Sequence, residues 1–216
     1  MARALLSFSE TAKWFPPEVA EVTGLPVRSE FFAIPPKPRS GQLTVLITGG
    51  SQGSRTLNRA AQESWKLWDS GAVRLIHQTG PAAYELLASE FQLSGIDGEV
   101  SPFLADMPAA FTAADIVVSR AGMGTVSELA AAGKPSILVP LPTAADQHQL
   151  RNAEAMERIG ASRMVLDAEF NGQRLAEEVM RLSQNPDLLH AMGEAARSFA
   201  KPDAARRAAD VLESFT

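Results

Sequence analysis

The chain has no cysteine, which excludes disulfide frameworks, thiolate chemistry and cysteine-ligated zinc. Three histidines in 216 residues leave little room for a histidine-rich metal centre. Excess positive charge is missing too. Asp and Glu number 25 against 20 Lys and Arg, a net charge of −5, which argues against a nucleic-acid partner. No window approaches the roughly 18 apolar residues of a membrane-spanning helix. The apolar part of residues 1–7 is too short for a signal peptide, so the cytoplasm is the default compartment. Internal repeats and low-complexity segments are absent. What is present, 45% hydrophobic and 21% charged residues, is the composition of a soluble globular protein. Its length suffices for one full α/β domain and a little more.

Short, almost wholly apolar runs alternate with helical patterns. The strand candidates are residues 43–48, 73–78, 100–104, 116–119, 136–139 and 163–166. Between them Leu57, Ala60, Ala61, Ser64, Trp65 and Trp68 recur at helical spacing, as do Leu150, Ala153, Met156 and Ile159 before Gly160. Strands apolar on both faces and separated by helices predict a Rossmann-like parallel sheet with helices on both sides. Ligands on such sheets bind at the carboxyl ends of the strands. Residues 1–34 look different, and Pro35-Pro36-Lys37-Pro38-Arg39-Ser40-Gly41 reads as an interdomain linker. Residues 42–200 form the main domain, and 201–216 a last helix.

The most informative stretch is Ser119-Arg120-Ala121-Gly122-Met123-Gly124-Thr125-Val126-Ser127-Glu128. It leaves an apolar strand and opens a helix, so Gly122, Met123, Gly124 and Thr125 offer backbone N–H groups and a positive helix end to an anion. Glu128 sits one turn further in. Amides for a diphosphate beside a carboxylate for a ribose diol suggest a nucleotide. Helix-dipole stabilisation alone is the plainer reading of Glu128.

A second glycine turn, Thr48-Gly49-Gly50-Ser51-Gln52-Gly53-Ser54, also follows a strand and precedes a helix. It is neither a Walker loop nor G-x-G-x-x-G. It reads equally as a phosphate loop or as a tight turn needing glycine for geometry. Both glycine turns point to one edge of the sheet. On that edge Asp146-Gln147-His148-Gln149 opens another helix, with Asp146 its expected N-cap and His148 and Gln149 able to bond a polyhydroxylated ligand. Phe103, Leu104 and Met107, at the end of a strand, read as core or as an apolar slot for a base. Arg28 reads as a solvated arginine or a bidentate phosphate contact. His77 reads as structural. No D-x-D pair suggests a metal-bridged diphosphate, and no metal or cofactor is expected.

Taken in order, Gly24-Leu25-Pro26-Val27-Arg28, Gly49 to Gly53, Pro102 to Met107, Arg120 to Glu128, and Asp146-Gln147-His148-Gln149 with Asn152-Ala153 resemble the C-terminal half of the MurG family. Members of that family transfer N-acetylglucosamine from UDP to lipid I in peptidoglycan synthesis. The resemblance implies one half of a GT-B fold, the donor-binding half of an inverting transferase. It implies that Glu128 holds the ribose hydroxyls. Ser51, with Gly50 and Gln52 in its turn, Arg28 and the amides from Gly122 to Thr125 would cradle the diphosphate. The backbone near Leu104 would read the uracil, with Phe103 and Met107 lining the slot. Gln149, helped by His148, would hold the sugar hydroxyls.

The family's acceptor domain and its base are expected outside this chain, with residues 1–34 as the tail of that domain and residues 201–216 crossing back towards it. No catalytic residue is assigned here. The resemblance implies lipid I and the acceptor domain as partners, and a peripheral position on the cytoplasmic face of the inner membrane. A donor subunit of a split glycosyltransferase and an epimerase-like UDP-sugar protein remain alternatives.

Overall fold

The computed structural model describes residues 3–38, 41–69 and 71–215. Arg39 and Ser40 of the expected linker lie outside them. Near the N-terminus, β1 (Ala4–Leu6) and β2 (Ala20–Val22) pair in parallel as a two-stranded sheet, followed by the short helix α1 (Ser29–Phe32). Phe31 of α1 is fully buried edge-on against Phe111, with ring centroids 5.1 Å apart. Lys37, in the proline-rich stretch, is anchored by donating to Asp115 at 2.8 Å.

The main sheet begins with β3 (Leu43–Thr48), every residue of which is buried. It continues through α2 (Arg55–Ser64), β4 (Val73–Gln78), α3 (Pro81–Ser94), β5 (Asp97–Ser101), α4 (Met107–Ala113), β6 (Ile116–Ser119), α5 (Met123–Ala132), β7 (Ser136–Leu138), α6 (His148–Arg158) and β8 (Ser162–Met164). The six strands are parallel in the order β5-β4-β3-β6-β7-β8. Chain order therefore runs outward from β3 in one direction and from β6 in the other. The switch point, where ligands bind on such sheets, lies between these two strands.

Each face of the sheet carries its own core, because alternate strand residues point to opposite sides. Leu43, Val45 and Ile47 pack with α2 and with α7 (Gly172–Ser183) and α8 (Pro186–Phe199). Leu46, Ile76, Val117 and Leu138 pack with Phe31, Phe111 and the buried face of α5. At the carboxyl edge the register sets Ser101, Gln78, Thr48, Ser119 and Leu138 in one row. The last helix, α9 (Ala204–Glu213), returns to the small sheet, where Arg207 bonds Glu21 at 2.8 Å. Leu212 and Phe215 remain exposed.

Three expectations differ from the structure. The run 100–104 is strand only at Val100 and Ser101: β5 begins earlier, at Asp97, and the sheet ends before Pro102, which has no N–H to donate. The Leu104 N–H goes instead to the side chain of Gln78. Met107 does not end a strand but opens α4, whose N-cap Asp106 accepts from the Ala109 N–H at 2.9 Å. Asp146 is not the N-cap of α6. It lies in a 3-10 turn with φ 50°, and Gln147, also left-handed at φ 55°, precedes the helix without a side-chain cap.

Candidate functional site

The two glycine turns flank the switch point at one level, since Thr48 and Ser119 are register partners. In the β3–α2 turn, the Gly53 N–H donates to the Gly50 carbonyl at 3.0 Å, and Ser54 caps α2 by accepting from Leu57. Gly53 has φ 74°, and a Cβ there would sit 1.8 Å from the Thr79 carbonyl oxygen. Its glycine is required by packing against the end of β4. Gly122 and Gly124 differ, because a Cβ at either would meet nothing within 4 Å.

The start of α5 is uncapped by any side chain, Gly122 being the N-cap. Its first intrahelical bond runs from the Val126 N–H to the Gly122 carbonyl at 3.0 Å. Helix geometry leaves the N–H groups of Met123, Gly124 and Thr125 without intrahelical acceptors. Gly124 is exposed, and glycine at a helical position costs up to about 1 kcal/mol relative to alanine. The fold gives no packing reason for it at Gly124, whereas close approach of an anion to the backbone does.

Two adjoining cavities open over this edge and share Thr48, Gly50 and Thr125. The smaller, about 250 Å³, is bounded by Arg28, Ser51, Gln78, Leu104, Met107 and Glu128, with Phe103 at its rim, 59% exposed. The larger, about 690 Å³, reaches Arg120, Gly122, Leu141, Gln149 and Asp167. Burial pushes the Glu128 carboxyl above the usual range, and the charge of Arg28 draws it partly back. The Arg28 guanidinium lies over the Phe31 ring, 5.1 Å from its centroid.

Helix α6 holds the Gly122 turn from behind. Gln149 Oε1 accepts the Ala121 N–H at 3.2 Å and the Leu141 N–H at 3.0 Å, and Asn152 donates to the Ala121 carbonyl at 2.9 Å. The Gln149 oxygen is thus committed to the backbone, and its amide nitrogen is the group to offer a ligand. Arg120 closes the far side, donating to the Val139 carbonyl at 3.1 Å and pairing with Asp167.

Of the residues expected at the site, Arg28, Gly50, Ser51, Phe103, Leu104, Met107, Thr125 and Glu128 meet around the smaller cavity, and Gly122 and Gln149 line the larger. Four side chains or positions stand apart. Gln52 is exposed and lines neither cavity, its carbonyl lying against Gly80. His148 is exposed, its Nδ1 bonded to the Ala145 carbonyl at 2.8 Å. The Met123 side chain turns to a separate crevice beside Val27 and Phe199. Gly124 contributes only its backbone. Among the described residues no three His, Asp or Glu side chains cluster as metal ligands.

Sequence reasoning passed over Gln78, Arg120 and Asp167. Gln78 is 1% exposed yet borders the smaller cavity. A buried glutamine ending an apolar strand at the binding edge is the signal that could have marked it.

Comparison with known proteins bears on the family and the fold. The model of the glycosyltransferase family 28 C-terminal domain matches residues 44–208. A curated protein of Solibacter usitatus, UDP-N-acetylglucosamine--N-acetylmuramyl-(pentapeptide) pyrophosphoryl-undecaprenol N-acetylglucosamine transferase, is 60% identical over 99% of this chain and 59% of its own length. Its namesake from Sorangium cellulosum is 43% identical over 98% of the chain and 53% of its own length. The crystal structure of Acinetobacter baumannii MurG superposes with a TM-score of 0.72 at 30% identity, over 82% of this chain and 51% of that one. The chain thus spans between half and three-fifths of the length of these curated relatives. Its fold is one Rossmann-like half of a GT-B glycosyltransferase. By the family match over residues 44–208, the chain belongs to the glycosyltransferase family 28 C-terminal domains.

Proposed function

We propose that the chain is the UDP-N-acetylglucosamine-binding half of an inverting transferase that adds N-acetylglucosamine to lipid I. The observation that carries this reading is the uncapped start of α5. Its glycines face open space at the switch point, with Glu128 one turn behind. The N–H groups of residues 123–125, the helix dipole, Ser51 and Arg28 take the diphosphate. Glu128 accepts from the ribose hydroxyls. The base lies between Phe103 and Met107 against the Leu104 backbone. The sugar occupies the larger cavity, where Gln149 donates to its hydroxyls.

In the transfer, an acceptor hydroxyl attacks the anomeric carbon from the face opposite the phosphate. The new C–O bond forms as the bond to the β-phosphate oxygen breaks, and the acceptor proton passes to a base outside this chain. The role of this half is to stabilise the UDP leaving group as negative charge grows on it. Helix-end amides and Arg28 oppose that charge most strongly in the transition state. Residues 42–200 are the donor domain. Residues 1–34 are the tail of the acceptor domain and residues 201–216 cross back towards it, the Arg207–Glu21 pair joining the two segments. Transfer to a polyprenyl acceptor takes place at the cytoplasmic face of the inner membrane, which the full-length protein meets through its acceptor half. Among the described residues no helix is long and apolar enough to cross a membrane.

Donor choice tests the reading. Competition between UDP-N-acetylglucosamine, UDP-glucose and UDP should rank the first tightest. Equal affinity for all three would remove the assignment of the larger cavity to the N-acetylated sugar.

A further inference from the structure

We propose that Gln78 is a positioning residue whose buried amide sets the spacing between the base slot and the diphosphate turn. The proposal rests on the donor-site reading above. Gln78 is the last residue of β4, the strand between the one that delivers the Gly50 turn and the one that delivers the Leu104 loop. Its Nε2 donates to the Gly50 carbonyl at 2.8 Å and to Thr48 Oγ1 at 3.2 Å. Its Oε1 accepts the Leu104 N–H at 2.9 Å. One planar group therefore reaches the diphosphate turn with its donors and the base loop with its acceptor, on opposite sides of β4.

The consequence for the turn follows from peptide geometry. Gly50 has φ 81° and open space around it, so packing does not fix its orientation. Its carbonyl is held by Gln78 and by the Gly53 N–H at 3.0 Å. A trans peptide points its N–H opposite its carbonyl, so holding the Gly50 carbonyl on Gln78 also sets the direction of the Ser51 N–H. Thr48 Oγ1, which accepts from Gln78, also accepts the Gly50 N–H at 3.2 Å. On the far side the Ser101 hydroxyl donates to the Phe103 carbonyl at 2.8 Å, so the Phe103–Leu104 peptide is held at both polar groups. Each bond is an ordinary one; the bond from Gln78 to Thr48 is buried and those to Gly50 and Leu104 are half-buried, so that a polar group left without its partner there is costlier than the bond itself.

A ligand that touches only one side of Gln78 does not feel the spacing, whereas one spanning base and diphosphate does. The test titrates the 216-residue chain with uridine, inorganic pyrophosphate and UDP, followed by NMR, for the unmutated protein, Gln78→Met and Gln78→Glu. In Gln78→Met, uridine and pyrophosphate should each lose only about two- to threefold in affinity, through the locally freed Leu104 and Ser51 N–H groups. UDP affinity should fall about tenfold or more, in line with lost buried hydrogen bonds. The Leu104 amide should lose protection from hydrogen exchange. Gln78→Glu keeps the acceptor for Leu104 but sets a carboxylate against the Gly50 carbonyl. Its UDP deficit relative to the unmutated chain should narrow as pH falls from 7 to 5 and a donor is restored. Equal losses for all three ligands, an unchanged UDP affinity in Gln78→Met, or a Gln78→Glu deficit independent of pH overturns the proposal. Failure of the unmutated chain to bind UDP overturns the donor-site reading itself, and this role with it.

Discussion

Arg28 and Glu128 face one cavity from separate elements, and the guanidinium partly offsets the rise that burial imposes on the carboxyl. A carboxyl whose folded pKa lies above its unfolded value favours the fold while protonated. That contribution is lost as pH rises through the folded pKa. The charged form of Glu128 therefore works against folding, a cost that donor binding offsets. Glu128→Gln should raise the thermal midpoint at pH 7 and leave it nearly unchanged at pH 4. It should weaken UDP binding about 10- to 100-fold, the worth of hydrogen bonds to a charged acceptor. A lower midpoint at pH 7 would show that Glu128 serves the fold instead.

The glycines separate packing from ligand approach. Gly53→Ala forces a Cβ towards the Thr79 carbonyl at a left-handed backbone position and should cost about 3 kcal/mol or more. Gly124→Ala meets open space in a helix and should stabilise by about 0.5–1 kcal/mol. Yet Gly124→Ala should weaken UDP binding at least as much as Glu128→Gln does. Denaturant melts and titrations on the two variants check both halves. Full UDP affinity in Gly124→Ala would mean that the diphosphate does not approach this turn.

Gln149 divides its amide between two tasks, and Gln149→Glu splits them. The carboxylate still accepts the Ala121 and Leu141 N–H groups, so the loops stay closed. The donor to the sugar is gone. UDP affinity should hold within about threefold, while the advantage of UDP-N-acetylglucosamine over UDP falls by about 1–2 kcal/mol. Retention of that advantage would place the sugar elsewhere.

His77 carries a pH dependence unrelated to the site. It is buried, bonds Asn58 at 3.0 Å through Nε2, and leaves Nδ1 without a partner. Desolvation lowers its pKa from 6.5 to about 4. Below the unfolded pKa only the unfolded chain takes up the proton, so stability present above that value falls as pH drops towards the folded pKa. Between pH 6.5 and 5 this amounts to about 2 kcal/mol. Urea melts of His77→Asn should lose that component, and an identical slope in both proteins would show that His77 titrates normally.

The strands β3, β4 and β6 and the switch point were legible because each is a short, mostly apolar run, buried on both faces except at Arg74. β5 was not, because it is an edge strand of mixed burial, Asp97-Gly98-Glu99-Val100-Ser101, with no apolar pattern to read. The helix α3 was equally obscure: Leu87 and Phe91 are buried, but Leu86 and Leu93 are exposed, which blurs its stripe. At the site, the glycine turns and Glu128 follow from strand-to-helix geometry and are readable locally. Gln78 and Arg120 are not, since their partners come from other strands and loops. Asp146 misled because cap propensity assumes an ordinary entry to the helix, and here two successive left-handed residues make the entry.

Calorimetric titration of the 216-residue chain with UDP-N-acetylglucosamine decides whether the α5 turn and Glu128 hold a UDP-sugar. Saturable one-site binding is expected, and it should disappear in Glu128→Ala while the variant melts cooperatively. No binding heat at millimolar donor, or undiminished affinity in Glu128→Ala, would contradict it.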